Sequence, residues 1–170
     1  MKAYLFQGLP KGDKMELIVQ KAVELGVYEI IPVASDRSIV KLDEKRAKSR
    51  IARWQGIAEA AAKQSKRAVI PQIKNVMSMS QAVSYADAMD VKLIPYELAK
   101  SMGHTKELID GMPSGSSVAI FIGPEGGFTE EEIALAEEYG ITPVTLGKRI
   151  LRTETAGLVV LSWLMYHFEG

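Results

Sequence analysis

Short apolar runs alternate along the chain with stretches in which apolar side chains return every third or fourth position, so strand-like and helix-like segments follow one another. Ala3 to Phe6 opens as a β-like run, and Gly8 and Pro10 break it before Asp13. That residue is placed to cap a helix whose Met15, Leu17, Ile18, Ala22 and Leu25 share one face and which Gly26 stops. Tyr28 to Val33 reads as a strand. Glu44 to Gln64 reads as a long helix with Ile51, Trp54, Ile57, Ala58 and Ala61 on one side, and Ser80 to Ala86 as a shorter one. Val91 to Ile94, Val118 to Ile122 and Pro143 to Leu146 are further β-like runs, with a helix from Thr129 to about Gly140 between the last two. Glu97 to Ser117 is the least periodic stretch and predicts a helix flanked by loops. The alternation predicts an α/β fold, a mostly parallel sheet with helices on both faces. No internal repeat or low-complexity linker divides the chain, so residues 1–170 are expected to form one domain.

The last helix, expected from Thr153 to about Phe168, departs from the amphipathic pattern. Between Ala156 and Met165 only Ser162 is plainly polar, and such a helix must be covered on several sides. It lies deep in a core or packs against another subunit; in a chain this short the interface is favoured. The apolar stretch is too short to cross a bilayer, and the first residues show no secretory signal pattern. Cysteine is absent, which excludes thiolate nucleophiles, disulfides and Cys-based zinc sites. A soluble cytoplasmic protein without membrane or metal partners is expected.

Lysine plus arginine equal aspartate plus glutamate at 21 each, so the overall balance is not that of a generic nucleic-acid binder. The distribution is uneven. From Asp36 to Arg67 ten cations face four anions, a local excess of six charges balanced elsewhere. Such a segment suits RNA phosphates, with Arg37, Lys41, Lys63 and Arg67 as candidate contacts, although charge alone favours an ordinary solvated helix face.

In an open parallel sheet ligands bind beyond the carboxyl ends of the strands, which points to the loops after Ile94, Ile122 and Leu146. After Ile122 comes Gly123-Pro124-Glu125-Gly126-Gly127-Phe128, whose glycines permit positive φ and close approach of backbone to a ligand. The next residues, Thr129-Glu130-Glu131-Glu132, form a capping box, and three glutamates at the positive end of a helix repel a polyphosphate. A phosphate-free ligand such as S-adenosylmethionine fits better than ATP or NAD. After Leu146 comes Gly147-Lys148-Arg149-Ile150-Leu151-Arg152-Thr153-Glu154-Thr155, a polar turn that serves either a site or the start of the last helix, with Thr153 or Thr155 as its cap. Glu97 is a further candidate, whereas His104 is assigned no role.

Together, Gly123 to Phe128, Leu146-Gly147 and Ile150 to Ala156 resemble the RsmE family, which methylates N3 of a uridine in 16S rRNA. The resemblance extends to Lys11 to Lys14, Lys21 to Val27, Ile31-Pro32, Arg37-Ser38, and Gln64 with Arg67, Pro71 and Ile73, nearly the whole chain. It implies a SPOUT-class α/β knot, with the C-terminal segment threaded as a trefoil, a two-fold dimer and S-adenosylmethionine held in the knot near the interface. Carried onto this chain, the cofactor would be bound by Gly123, Leu146, Gly147, Ile150 and Leu151, with Ile94, Glu97, Ile122, Glu125, Gly126, Gly127, Arg152 and Thr155 around it. Family members usually carry an N-terminal PUA-like RNA-binding domain ahead of this region. Here the similar part begins almost at Met1, so residues 1–170 are expected to be the methyltransferase domain with the PUA-like domain absent. The expected partner is 16S rRNA or the small ribosomal subunit.

Methylation at uracil N3 needs the imide proton removed and the resulting anion stabilised. Arg152 is expected to supply the charge and Glu154 to take the proton, with Glu97 and Glu125 as alternative bases. Three other functions remain open: ribose 2′-O-methylation of tRNA or rRNA on the same fold, a non-catalytic RNA-binding or ribosome-assembly module, and a flavodoxin-like nucleotide or flavin protein, which the glutamate-rich helix start disfavours.

Overall fold

The computed structural model describes residues 1–99 and 101–169. One parallel sheet runs through it, built from β1 (Lys2–Gly8), β2 (Glu29–Ala34), β3 (Gln72–Ile73), β4 (Met77–Ser78), β5 (Val91–Pro95), β6 (Ser117–Ile122) and β7 (Thr142–Val144). The order is β3-β2-β1-β6-β5-β7, with β4 also paired to β2, and every pairing is parallel. Helices α1 (Lys14–Glu24), α2 (Glu44–Gln64), α4 (Met102–Asp110) and α6 (Thr153–Glu169) contribute to the core on one face. Helices α3 (Met79–Ala86) and α5 (Glu130–Glu138) cover the other. The parallel α/β class read from the alternation is therefore the observed one.

The pleat sorts the strand residues. In β1, Ala3 and Leu5 join the core beneath α1 and α6, while Phe6 joins the opposite one. In β6, Val118, Ile120 and Ile122 face one core and Ala119 and Phe121 the other. Phe6 and Phe121 are register partners and stack with ring centroids 4.3 Å apart, which fixes the two central strands behind the site. Gly157 of α6 lies so close to β1 that a Cβ would sit 3.1 Å from Leu5 Cδ1, so the last helix presses directly on the centre of the sheet.

The differences from the sequence reading have local causes. Asp13 stands at the N-cap of α1 but makes no side-chain cap bond; its carbonyl accepts from the Glu16 N–H instead. By contrast Asp43 caps α2 through Arg46 N, and the Thr129–Glu132 capping box of α5 is complete. The run Pro143 to Leu146 is a strand only to Val144, because the Thr145 hydroxyl engages the N–H and carbonyl of Gly147 and turns the chain. Strands β3 and β4 have two residues each, too few for a hydrophobic period. Gln55 of α2 anchors this segment, donating to the Pro71 carbonyl and accepting from the Ile73 N–H.

Candidate functional site

The loops leaving β5, β6 and β7 and the first turn of α6 enclose one cleft of about 720 Å³, a size that accepts a small-molecule ligand. Lys14, the first residue of α1, and Arg37, in the loop after β2, also line it. Pro95, Tyr96 and Glu97 form one wall, Ile122 to Phe128 a second, and Thr145 to Glu154 the rim.

The glycines of the second wall serve different needs. Only Gly127 takes a positive φ, +74°. Gly123 is required by proximity, since a Cβ there would lie 3.0 Å from Gly127 Cα, and one on Gly126 would press the Arg37 side chain at 3.3 Å. Gly8 supports this loop from below, because its Cβ position lies 2.6 Å from Pro124 Cδ. Arg37 donates from Nη1 to the carbonyls of Gly126 at 2.9 Å and Phe128 at 3.4 Å. An arginine read from sequence as an RNA contact thus also clamps the glycine-rich loop. Glu132 closes the capping box and accepts from the Asp36 N–H, tying the loop after β2 to the start of α5.

Glu125 joins the second wall to α1. Its carboxylate accepts from the Lys11 N–H at 3.0 Å and from Lys14 Nζ at 2.7 Å. Burial pulls its pKa upward, but the hydrogen bonds from Lys14, its own N–H and Lys11 outweigh this and hold it below the ordinary glutamate value. A carboxyl depressed by folding stabilises the fold fully above its unfolded pKa and loses that contribution as pH falls through the folded one. The wild-type protein should therefore exceed Glu125→Gln in thermal stability at neutral pH, with the gap closing below the ordinary glutamate range; parallel melting curves across pH check this.

The first turn of α6 is fastened to the same loop. Buried Gln7 donates from Nε2 to Thr153 Oγ1 at 2.8 Å, and the Thr153 hydroxyl donates to the Gly123 carbonyl at 2.6 Å. Thr153 is thus used as a strap and not as a helix cap, and the carbonyl of Arg152 accepts the first helical bonds, from Thr155 and Ala156 N–H. Gly147, at φ +117°, sets the bend of the rim. Glu154 is mostly buried there: its Oε1 has no hydrogen-bond donor, and its Oε2 lies 3.9 Å from Lys14 Nζ.

Of the residues anticipated around a ligand, Glu97, Ile122, Gly123, Glu125, Gly126, Gly127, Leu146, Gly147, Ile150, Leu151 and Arg152 all line the cleft, as does Glu154. Two do not. Ile94 is fully buried one residue beneath the wall, on the face packed under α3 and α5. Thr155 is exposed on the first turn of α6, outside the lining. Among the basic candidates, Lys41 and Lys63 are exposed outside the cleft. Arg67 is half-buried, and its Nη1 donates to the carbonyls of Val23 and Val27 at 3.1 and 2.7 Å, closing the end of α1. This gives it a structural task at the end of α1. Sequence reading missed Lys14 and Gln7 as site residues. The signal for Gln7 was a polar residue inside an apolar strand. Among the described residues, no group of three or more His, Asp or Glu is placed to hold a metal, and no helix is long and apolar enough to cross a membrane.

Residues 1–165 match the RNA methyltransferase domain family. A curated relative, ribosomal RNA small subunit methyltransferase E of Bacillus subtilis, is 44% identical over 173 residues, covering 99% of this chain and 67% of its own. Among solved structures, a ribosomal RNA small subunit methyltransferase E from Neisseria gonorrhoeae bound to S-adenosylmethionine superposes with a TM-score of 0.84 at 38% identity, over 99% of this chain and 67% of that one. A Legionella pneumophila protein in complex with bound SAM superposes at 0.88 with 36% identity, over 98% and 66%. The chain thus spans about two thirds of the length of these relatives.

Proposed function

Since this chain belongs to the RNA methyltransferase family, among relatives named ribosomal RNA small subunit methyltransferase E, we propose that it transfers a methyl group from S-adenosylmethionine to N3 of a uridine in 16S rRNA. The observation that carries the reading is the buried Glu154 Oε1, which has no donor and lies at the rim of the cleft beside Arg152. A buried carboxylate oxygen left without a donor costs folding free energy, and an arriving N–H satisfies it. The cleft also suits a phosphate-free cofactor. Gly123, Leu146 and Gly147 line it, the two glycines with backbone alone, and the three glutamates in the first turn of α5 oppose a polyphosphate. Gly123, Leu146, Gly147, Ile150 and Leu151 would hold the cofactor, with Glu97 and Glu125 to Gly127 flanking it.

When bound, S-adenosylmethionine supplies a methyl carbon made electrophilic by its sulfonium. Glu154 Oε1 accepts the uracil N3 proton. The Arg152 guanidinium stabilises the negative charge that spreads from N3 to the flanking carbonyl oxygens. The positive end of the α6 dipole adds to this field. Arg37, Lys41, Lys63 and the exposed cations of α2 form the basic surface proposed to meet RNA phosphates.

A trefoil knot is supported by the chain path. β7 lies at the edge of the sheet, yet α6 returns past β5 to pack against β6 and β1. A homodimer is supported by apolar side chains left partly open: Leu158, Val159, Trp163 and Met165 of α6 are of intermediate burial, Tyr166 is 82% exposed, and Leu98 and Ile150 in the cleft-side loops are 82% and 86% exposed. Sedimentation at micromolar concentration is expected to give twice the 18.7 kDa chain mass; a purely monomeric species would remove the dimer.

The decisive assay incubates the protein, S-adenosylmethionine and either 16S rRNA or small subunits, then digests the RNA and identifies modified nucleosides by mass spectrometry. N3-methyluridine is the expected product. A 2′-O-methylated nucleoside, or no product from a protein that binds the cofactor, would overturn the assignment.

A further inference from the structure

Among the described residues, two buried side-chain atoms have no hydrogen-bond partner, Gln7 Oε1 and Glu154 Oε1, and both belong to residues that meet the first turn of α6. Glu154 lies in that turn. Gln7 reaches it from β1; it is fully buried and donates from Nε2 to the Gly8 carbonyl at 3.0 Å and to Thr153 Oγ1 at 2.8 Å. The direction of these bonds is fixed. A hydroxyl has one hydrogen, and Thr153 gives its own to the Gly123 carbonyl at 2.6 Å. Gln7 must therefore donate to Thr153, and its Oε1 is left facing no donor. We infer that Gln7 is a positioning residue: through the Thr153 hydroxyl it locks the turn that carries Arg152 and Glu154 to the loop at Gly123, and methyl transfer depends on that lock.

The inference rests on the reading of Arg152 and Glu154 as the groups that act on the methylated base. The loop has other supports. Gly8 lies beneath Pro124, Gly123 lies against Gly127, and Arg37 holds the Gly126 carbonyl. The turn has fewer. Lys148, Arg149, Ile150 and Arg152 are exposed, and Thr153 is the first buried side chain after Val144. The chain thus reaches the site through exposed residues and is first anchored at the Thr153 hydroxyl. For stability alone Gln7 is a poor choice, because the unpaired Oε1 costs about as much as its two neutral hydrogen bonds return. A carboxamide in an otherwise apolar strand interior serves the geometry of the turn instead, and local conflicts of this kind belong to functional sites.

Gln7→Met keeps the length of the side chain and removes the donor; Thr153→Val keeps the shape and removes the hydroxyl. Each should slow single-turnover methylation of 16S rRNA by about tenfold or more, since misplacing a positioned group is costly, while Tm moves by roughly 4 °C or less. The double variant should be no slower than the worse single one, because either change breaks the same relay. Thr153→Ser retains a hydroxyl and should lose far less than Thr153→Val. Amide hydrogen exchange of residues 123–128 and 152–156 in the same proteins reads the lock without reference to activity. Both segments should exchange faster in each single variant, the turn by more. A turn that keeps its wild-type exchange, penalties that add in the double variant, or an unchanged methylation rate would overturn the inference. Loosening of the turn in a protein whose wild type forms no N3-methyluridine would instead sink the functional reading, so the two failures are distinguishable.

Discussion

Glu154→Gln is expected to lower kcat for RNA methylation by roughly 10² to 10⁴, the range in which a positioned general base contributes, while S-adenosylmethionine affinity changes little. Glutamine preserves the shape of the side chain and places an amide where Oε1 has no donor, so packing at the first turn of α6 is retained and proton acceptance is lost. Single-turnover methylation of 16S rRNA, with cofactor binding measured on the same preparations, separates the two effects. A variant that methylates at the wild-type rate would transfer the role to Glu97 or Glu125, which line the same cleft.

Gly8→Ala is the second large effect. Its Cβ would fall 2.6 Å from Pro124 Cδ and 2.7 Å from Pro124 N, and because the second contact is backbone, the loop carrying Gly123 to Phe128 must shift. Overpacking of this kind costs about 1–3 kcal/mol, or roughly 2–12 °C in Tm for a domain of this size. Cofactor affinity should fall by about tenfold or more, since a displacement of an ångström in a preorganised site is poorly tolerated. Gly56→Ala is the matched control. Gly56 sits in α2 with nothing within 4 Å of its Cβ position, so alanine should stabilise by about 0.5–1 kcal/mol and leave binding untouched. Melting curves and cofactor titrations of both variants check the pair.

Much of the architecture was legible because each long element satisfies a single local rule. Helix α2 has a sharp cap at Asp43 and a sustained apolar face, and its predicted and observed limits coincide. The strands β1, β2 and β6 are largely buried runs of the kind that a parallel sheet covered on both faces accommodates. The features that escaped depend on contacts distant in sequence. Strands β3 and β4 are placed by Gln55 and by pairing with β2. Thr153 lost its expected capping role to Gly123 and Gln7, which meet it only after β1 and β6 have paired. In the cleft, the residues at the strand ends and in the polar turn could be anticipated from spacing and family resemblance. Lys14 could not be given its role from spacing, since its partners lie 111 and 140 positions away along the chain. Arg67 likewise has a structural task that its sequence position does not announce, since its Nη1 meets the carbonyls of Val23 and Val27 only once α1 and α2 have packed.

Calorimetric titration of the purified chain with S-adenosylmethionine, with ATP and NAD as comparison ligands and Gly147→Val as the site variant, distinguishes a methyl-donor site from a nucleotide site. Saturable binding of S-adenosylmethionine that ATP and NAD do not match, weakened when valine is forced into the +117° φ at Gly147, is the predicted result. A folded protein that fails to bind S-adenosylmethionine, or that prefers a nucleotide polyphosphate, would contradict the account.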